Sequence, residues 1–86
     1  MKNEKVGNCR IRCYDNGGKT FDRYSVVFMD FPEGRLFFGV GMSYDPFSPC
    51  GFGQHGLFKP GKHLGKRIAF ADMPADCQKL VESDCQ

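Results

Sequence analysis

The sequence contains no apolar run of about 18 residues, so it offers no candidate for a membrane-spanning helix. Its first eight residues, MKNEKVGN, lack the apolar core of a secretory signal. No internal repeat and no low-complexity segment is present in the sequence. From these absences we expect a globular protein of the cytoplasm. A chain of 86 residues suffices for a single domain, 1–86, with one modest core.

Charge of neither sign dominates the composition. Twelve Lys and Arg stand against ten Asp and Glu, which gives a net charge of +2 and an isoelectric point near 8.3. Dedicated nucleic-acid modules are usually more basic than this. No carboxylate pair has a recognisable acid–base spacing, and the glycines match no Walker loop. We therefore expect a protein that is not an enzyme.

Alternating apolar residues predict four strands, at 8–14, 19–31, 35–42 and 66–71. Turn signals separate the first three strands, because Asn-Gly follows the first and Pro-Glu-Gly follows the second. These three strands should form an antiparallel meander. The predicted fold class is α+β, with a small antiparallel sheet of about four strands and one C-terminal helix.

The C-terminal helix is predicted from its start signals and from its apolar stripe. Asp72 is a good N-cap, and Pro74 suits the first turn of a helix. Four apolar residues then recur at helical spacing, which indicates a helix that covers one face of the sheet. They are Met73, Cys77, Leu80 and Val81.

Two segments carry no strand pattern. Residues 1–7 are polar, so we expect them to be disordered. Residues 42–65 hold five of the eleven glycines, three of the five prolines and both histidines, which indicates a long Gly/Pro-rich loop. Loops of this length inside a compact domain are usually functional or disordered. The aromatic residues of this loop argue against a disordered linker, so we expect the working surface there.

The five cysteines are an odd number, and no C-x-x-C motif is present. In a reducing compartment we expect thiols or metal ligands rather than disulfides. Cys9 and Cys13 are about 13 Å apart on a regular strand, so one of them at most can bind a given ion. Cys77 and Cys85 are separated by about 12 Å on a helix, with the same consequence.

The preferred zinc ligands are Cys50, His55 and His63 from the long loop, with Cys77 as the fourth and Cys13 as its alternative. One structural zinc ion is the cofactor that this set predicts. The competing interpretation is that the cysteines on apolar faces simply fill the core. A third interpretation pairs Cys50 with His55 as nucleophile and base.

A basic run extends from this loop into the strand predicted at 66–71, since no acidic residue lies between positions 54 and 71. Its cations, the candidate binding residues, are Lys59, Lys62, Lys66 and Arg67. They would suit a nucleic acid or an acidic protein surface. A solvated, positively charged loop is the simpler interpretation.

Three stretches carry a resemblance: YDNGGKTFDRYSVVF at 14–28, DPFSPCGFGQHG at 45–56 and HLGKRIAFADMPADCQKLVESD at 63–84. Together they resemble small accessory proteins that phages, plasmids and conjugative elements encode. That group has no established catalytic motif, so the resemblance assigns no active-site residue. Anti-CRISPR proteins are among the small proteins of such elements, and some of them are metalloproteins that bind a CRISPR effector nuclease.

The resemblance implies a binding protein that works in the cytoplasm of a host cell. Its expected function is inhibition of a host defence nuclease, of the anti-CRISPR type, through protein–protein contact. The alternative is a nucleic-acid-binding module that uses the basic segment 59–67. The sequence leaves the oligomeric state open, because an open sheet edge would also allow a dimer.

Overall fold

The computed structural model describes residues 3–85 and confirms an α+β fold. The sheet has six strands rather than about four, and a single α-helix follows it. Two short 3-10 turns, Lys62–Leu64 and Phe70–Asp72, flank the last strand. The elements are β1 Glu4–Val6, β2 Cys9–Asp15, β3 Tyr24–Glu33, β4 Leu36–Met42, β5 Gly53–Phe58, β6 Lys66–Ile68 and α1 Ala75–Asp84.

The first five strands form an antiparallel meander in the order β1-β2-β3-β4-β5. The short strand β6 pairs antiparallel with the second half of β2, while β1 pairs with its first half. The chain therefore has to return from the β5 edge of the sheet to β2. It does so through the connection 59–65, which contains the first 3-10 turn. Within residues 3–85, no helix is both long and apolar enough to cross a membrane.

The two segments expected to lack structure each contain a strand. Strand β1 lies within the segment 1–7 that was expected to be disordered; Met1 and Lys2 are outside the described residues. Strand β5 lies within the expected loop 42–65 and pairs with β4 along its whole length. Its sequence, GQHGLF, shows no apolar alternation because its first five residues are exposed on both faces. Backbone hydrogen bonds to β4 hold it, and these need no particular side chain.

Two predicted element starts were wrong. The strand expected at 19–31 begins at Tyr24, because residues 16–23 form a loop that their own side chains hold together. The helix begins after Pro74 rather than after Asp72. Asp72 ends the second 3-10 turn, where its carboxylate accepts a hydrogen bond from the Ala69 backbone N–H at 3.3 Å.

One face of the sheet, here called the helix face, packs against α1 and forms the core. The stripe predicted for the helix contributes to this core, and Leu80 packs at its border. Four cysteines are buried in this core, two from β2 and two from α1 and its C-terminal end, so core filling is their structural role. The buried residues are Cys9, Ile11, Cys13, Tyr24, Val26, Phe28, Val40, Met42, Met73, Cys77, Val81 and Cys85.

The opposite face, here called the open face, carries glycines and polar side chains around the buried Tyr14 and Val27. One row of paired residues crosses it from β6 to β5: Arg67, Tyr14, Ser25, Gly41 and Gln54.

A second row of the open face runs from Arg12 through Val27 and Gly39 to Gly56. The Phe58 ring lies against the glycines of both rows, since Cβ atoms on Gly39 and Gly41 would be 2.7 and 3.8 Å from it. The missing side chains thus make room for one aromatic ring.

Candidate functional site

The predicted zinc ligands occupy different parts of the structure. Cys50 is exposed in the loop 43–52 between β4 and β5. His55 lies on the helix face of β5, and its Nε2 atom is 2.7 Å from Asp84 Oδ2 of α1. His63 lies in the first 3-10 turn, beside the open face. The described part of the chain contains no hydrogen bond between Cys50 and His55, which leaves the nucleophile–base pair without geometric support.

The fourth predicted ligand, Cys77, is completely buried on the inner side of α1, where its Sγ donates to the Ser43 carbonyl at 3.2 Å. Burial raises the pKa of this thiol to about 11 and that of Cys13 to about 12. Both thiols therefore stay protonated at neutral pH in the metal-free protein, and a zinc ion that bound them would have to displace that proton. Among residues 3–85, no three Cys, His, Asp or Glu side chains are grouped so as to hold a metal ion. The zinc site stays a prediction.

Three of the four predicted basic binding residues come together. Lys62, Lys66 and Arg67 line a cleft of about 530 Å³ with Tyr14 and two glycines, here called the basic cleft. The Arg67 guanidinium lies over the Tyr14 ring at 5.6 Å from its centroid. Lys59, which directly follows β5, is exposed and is not part of the lining.

Sequence reasoning missed the hydrogen-bonded structure of the loop 16–23 between β2 and β3. The Asn16 side chain organises it, because Oδ1 accepts from the backbone N–H groups of Gly18 and Lys19 at 2.8 and 3.1 Å. Its Nδ2 donates to Thr20 Oγ1 at 2.8 Å, and the Thr20 hydroxyl donates in turn to Asp22 at 2.6 Å. Such bonds fix an Asx-type turn.

The base of this loop is closed by an ion pair. Arg23 donates to both carboxylate oxygens of Asp15 at 2.8 and 3.1 Å, and the Asn16 N–H donates to the Arg23 carbonyl at 3.0 Å. The hydrogen bonds from Arg23 lower the pKa of the Asp15 carboxyl group. The loop is thereby held at both ends. Its Asn-Gly sequence predicted a chain reversal, and only the later residues Thr20 to Arg23 make that reversal an eight-residue structure.

Two exposed aromatic rings lie on neighbouring loops, Phe21 on the loop 16–23 and Tyr44 on the loop 43–52. Phe21 is 64% exposed and Tyr44 is 62% exposed, and both line an open cleft of about 450 Å³, here called the aromatic cleft. Phe21 contacts Phe52 with 6.3 Å between the ring centroids, so the loop 43–52 supports it. Tyr44 contacts the buried Tyr24 at 6.4 Å. Two large rings therefore face solvent on ordered supports.

On its other side the loop 16–23 borders a third cleft, of about 330 Å³, here called the polar cleft. Its floor is Ser25 and the Phe58 ring, and the 3-10 turn closes it with His63 and Leu64. The rest of the lining is Asn16, Lys19, Thr20 and Asp22. Lys19 and Thr20 line both this cleft and the aromatic cleft.

No protein-family model, no curated protein sequence and no solved structure matches the chain. The aromatic, basic and polar clefts are the candidate binding surfaces, and the loop 16–23 separates the aromatic cleft from the polar cleft.

Proposed function

We propose that the protein is a binding protein of a mobile element that inhibits a host defence nuclease by direct protein–protein contact. The observation that carries the proposal is the aromatic cleft, where Phe21 and Tyr44 are each more than 60% exposed on loops fixed by hydrogen bonds. Large aromatic side chains are the commonest energetic centres of protein interfaces. A loop that is ordered before binding loses little conformational entropy on binding.

The charges around the aromatic cleft favour a protein partner over a nucleic acid. Lys19 and Asp45, of opposite sign, both line it, and Arg23 is already paired with Asp15. A nucleic-acid groove would instead present unpaired cations along a backbone path. Mixed charge around exposed aromatic rings is typical of a protein interface with a polar rim.

The choice of target rests on the sequence resemblance to accessory proteins of mobile elements, and a CRISPR effector nuclease is the first candidate. The test adds the purified protein to guide-loaded effector nucleases of several types and measures target-DNA cleavage. We expect one nuclease to be inhibited. Phe21→Ala and Tyr44→Ala should each raise the half-inhibitory concentration at least about tenfold.

The matched control is Phe38→Ala, because Phe38 is a phenylalanine 48% exposed near the opposite end of β4. It should change the inhibition less than about twofold. Melting temperatures of the three variants verify that each is folded. Failure of the wild-type protein to inhibit any effector would remove the nuclease target. An equal loss of inhibition in Phe38→Ala would remove the aromatic cleft as the contact.

The second candidate function is nucleic-acid binding through the basic cleft, which the convergence of Lys62, Lys66 and Arg67 on Tyr14 supports. Binding to a single-stranded oligonucleotide would then weaken steeply with salt. Lys62→Gln and Lys66→Gln should each reduce the salt slope by about 1, while Lys79→Gln on α1 should not. An affinity that does not depend on salt would exclude this function.

A further inference from the structure

We propose that the polar cleft binds a nucleobase that carries an exocyclic amino group. The base would belong either to a free nucleotide or to a single-stranded nucleic acid, since both present the same chemistry. This inference is independent of the protein partner proposed above. It starts from the hydrogen-bonding groups that line the cleft, because some of these are already satisfied within the protein and others are not.

The satisfied groups belong to the loop. Asn16 uses both atoms of its amide, and the Thr20 hydroxyl accepts from Asn16 and donates to Asp22 Oδ1. These two side chains position the wall of the cleft and have little capacity left for a ligand. The second oxygen of Asp22 lies above Gly41, where an added Cβ would be 3.4 Å from it.

The unsatisfied group is Ser25. This residue is only 6% exposed, lies on the floor of the cleft, and makes no side-chain hydrogen bond to another residue in the range 3–85. The Ser25 hydroxyl oxygen is not fully enclosed by protein, so it is reached from the cleft. Because it has no protein partner within residues 3–85, it can hydrogen-bond to water or to a polar atom of a bound ligand.

The composition of the cleft indicates what kind of molecule carries that atom. The Phe58 ring provides an aromatic surface, which suits stacking of a planar base. The Asp22 carboxylate is an acceptor, which matches an exocyclic amino group and repels the carbonyl oxygen that uracil presents at the same place. The Phe58 ring and the Asp22 carboxylate together favour a nucleobase that carries an amino group.

The surroundings of the cleft contain positively charged side chains that could contact a phosphate group. Lys19 lines the cleft directly. The 3-10 turn Lys62–Leu64 also joins the polar cleft to the basic cleft, since His63 and Leu64 line the first and Lys62 lines the second. The phosphate of a nucleotide whose base stacks on Phe58 would therefore lie near these cations. A neutral sugar has no phosphate, so it would gain nothing from them.

The test follows backbone amide signals by NMR during titration of the full protein with the monophosphates of cytidine, guanosine, adenosine and uridine. We expect signals of the polar cleft to shift with at least one of the three amino-bearing nucleotides. Uridine monophosphate should bind at least about fivefold more weakly, as one lost hydrogen bond implies. No shift with any nucleotide up to about 10 mM would overturn the proposal.

The key variant is Ser25→Ala, with Ser83→Ala on the exposed surface of α1 as its control. Removing a hydroxyl group that has no protein partner should leave the melting temperature unchanged or raise it, so a folding defect is not expected. Nucleotide affinity should fall about fivefold to tenfold in Ser25→Ala and stay constant in Ser83→Ala. Unchanged affinity in Ser25→Ala would refute the site.

Two further measurements distinguish a single strand from a free nucleotide, and base recognition from binding of the phosphate alone. A six-nucleotide oligocytidine that binds at least about tenfold more tightly than cytidine monophosphate would assign the site to single strands, and equal affinity would assign it to free nucleotides. Shifts confined to the basic cleft, equal for all four bases and for inorganic phosphate, would contradict the proposal.

Discussion

The two faces of the sheet are built from the same strands and have opposite chemistry. On the helix face, Ile11, Val26 and Val40 are completely buried beneath α1. On the open face, the two rows contain three glycines and several polar residues beside the buried Val27, and the basic and polar clefts lie there. Because side chains alternate along a strand, one sequence can encode both faces. The comparison suggests that stability resides mainly on the helix face and recognition on the open face and its border.

Glycine has different roles at different places on the open face. A Cβ on Gly39 would lie 2.5 Å from the Val26 carbonyl oxygen and 2.7 Å from the Phe58 ring, so no side chain fits there. A Cβ on Gly56 would approach only the Phe58 ring, at 4.0 Å. The absence of a side chain at Gly39 thus lets the Phe58 ring pack against the sheet, while Gly56 leaves the surface of β5 exposed.

The largest expected effect contrasts two adjacent residues of β2 that point to opposite faces. Ile11→Ala should lower the free energy of unfolding by about 2–5 kcal/mol, because it leaves a cavity in the packed helix face. Arg12→Ala on the open face should change it by about 0.5 kcal/mol or less. Urea unfolding of both variants measures the difference. Similar losses would mean that the open face contributes to stability as much as the core does.

The second effect compares two glycines of the open face. Gly39→Ala forces the Phe58 ring or the strand to move, and we expect a loss of about 1–3 kcal/mol. Gly56→Ala meets no close atom and should be neutral or stabilise by up to about 1 kcal/mol. Thermal unfolding of the two variants distinguishes them, and a stable Gly39→Ala would show that Phe58 is not seated tightly.

The third effect is a dependence on pH at the base of the loop 16–23. The Arg23 hydrogen bonds lower the pKa of Asp15 in the folded protein, so the stability from this pair is present above the unfolded pKa of about 4. It is lost as the pH falls through the lower, folded value. Asp15→Asn should therefore be less stable than the wild type at pH 7.

The same reasoning predicts that the difference between Asp15→Asn and the wild type shrinks as the pH falls towards 3. Urea midpoints at the two pH values measure it. Glu82→Gln, which removes an exposed carboxylate on α1, is the control and should show no such convergence. A gap for Asp15→Asn that stays constant from pH 7 to pH 3 would mean that the ion pair contributes no stability.

The helix face could be predicted from the sequence, because its residues follow local rules. Ile11 and Cys13 alternate with polar neighbours along β2, and the helix stripe recurs at helical spacing. Neither pattern depends on distant parts of the chain. A three-stranded meander and the C-terminal helix were therefore expected before the structure, which adds β1 and β5 to the meander and shifts several element bounds. The strand predicted at 66–71 ends at Ile68, because a 3-10 turn follows it.

The open face could not be predicted, because its features depend on contacts between distant segments. Ser25 is one more position in an alternating strand, and its hydroxyl becomes part of a cleft only where the connection 59–65 passes beside it. Strand β5 has no side-chain pattern at all, since it forms through backbone pairing with β4. The clefts form where loops that are distant in sequence come into contact, and the periodicity of a single sequence does not predict such contacts.

The smallest expected effect concerns His55, which tests the zinc prediction directly. His55 and Asp84 have side chains 59% and 26% exposed, and such pairs contribute about 1 kcal/mol or less. His55→Ala should therefore lower the melting temperature by less than about 8 °C, close to the effect of Gln54→Ala on the same strand. The zinc prediction implies a much larger fall, because loss of one of four ligands removes folding free energy supplied by the metal. A chelator would then destabilise the wild type as strongly as the substitution does. That result would mean that β5 and the loop 43–52 rearrange to bring Cys50 and His63 to His55. A bound metal ion, rather than hydrogen bonds alone, would then order this edge of the sheet.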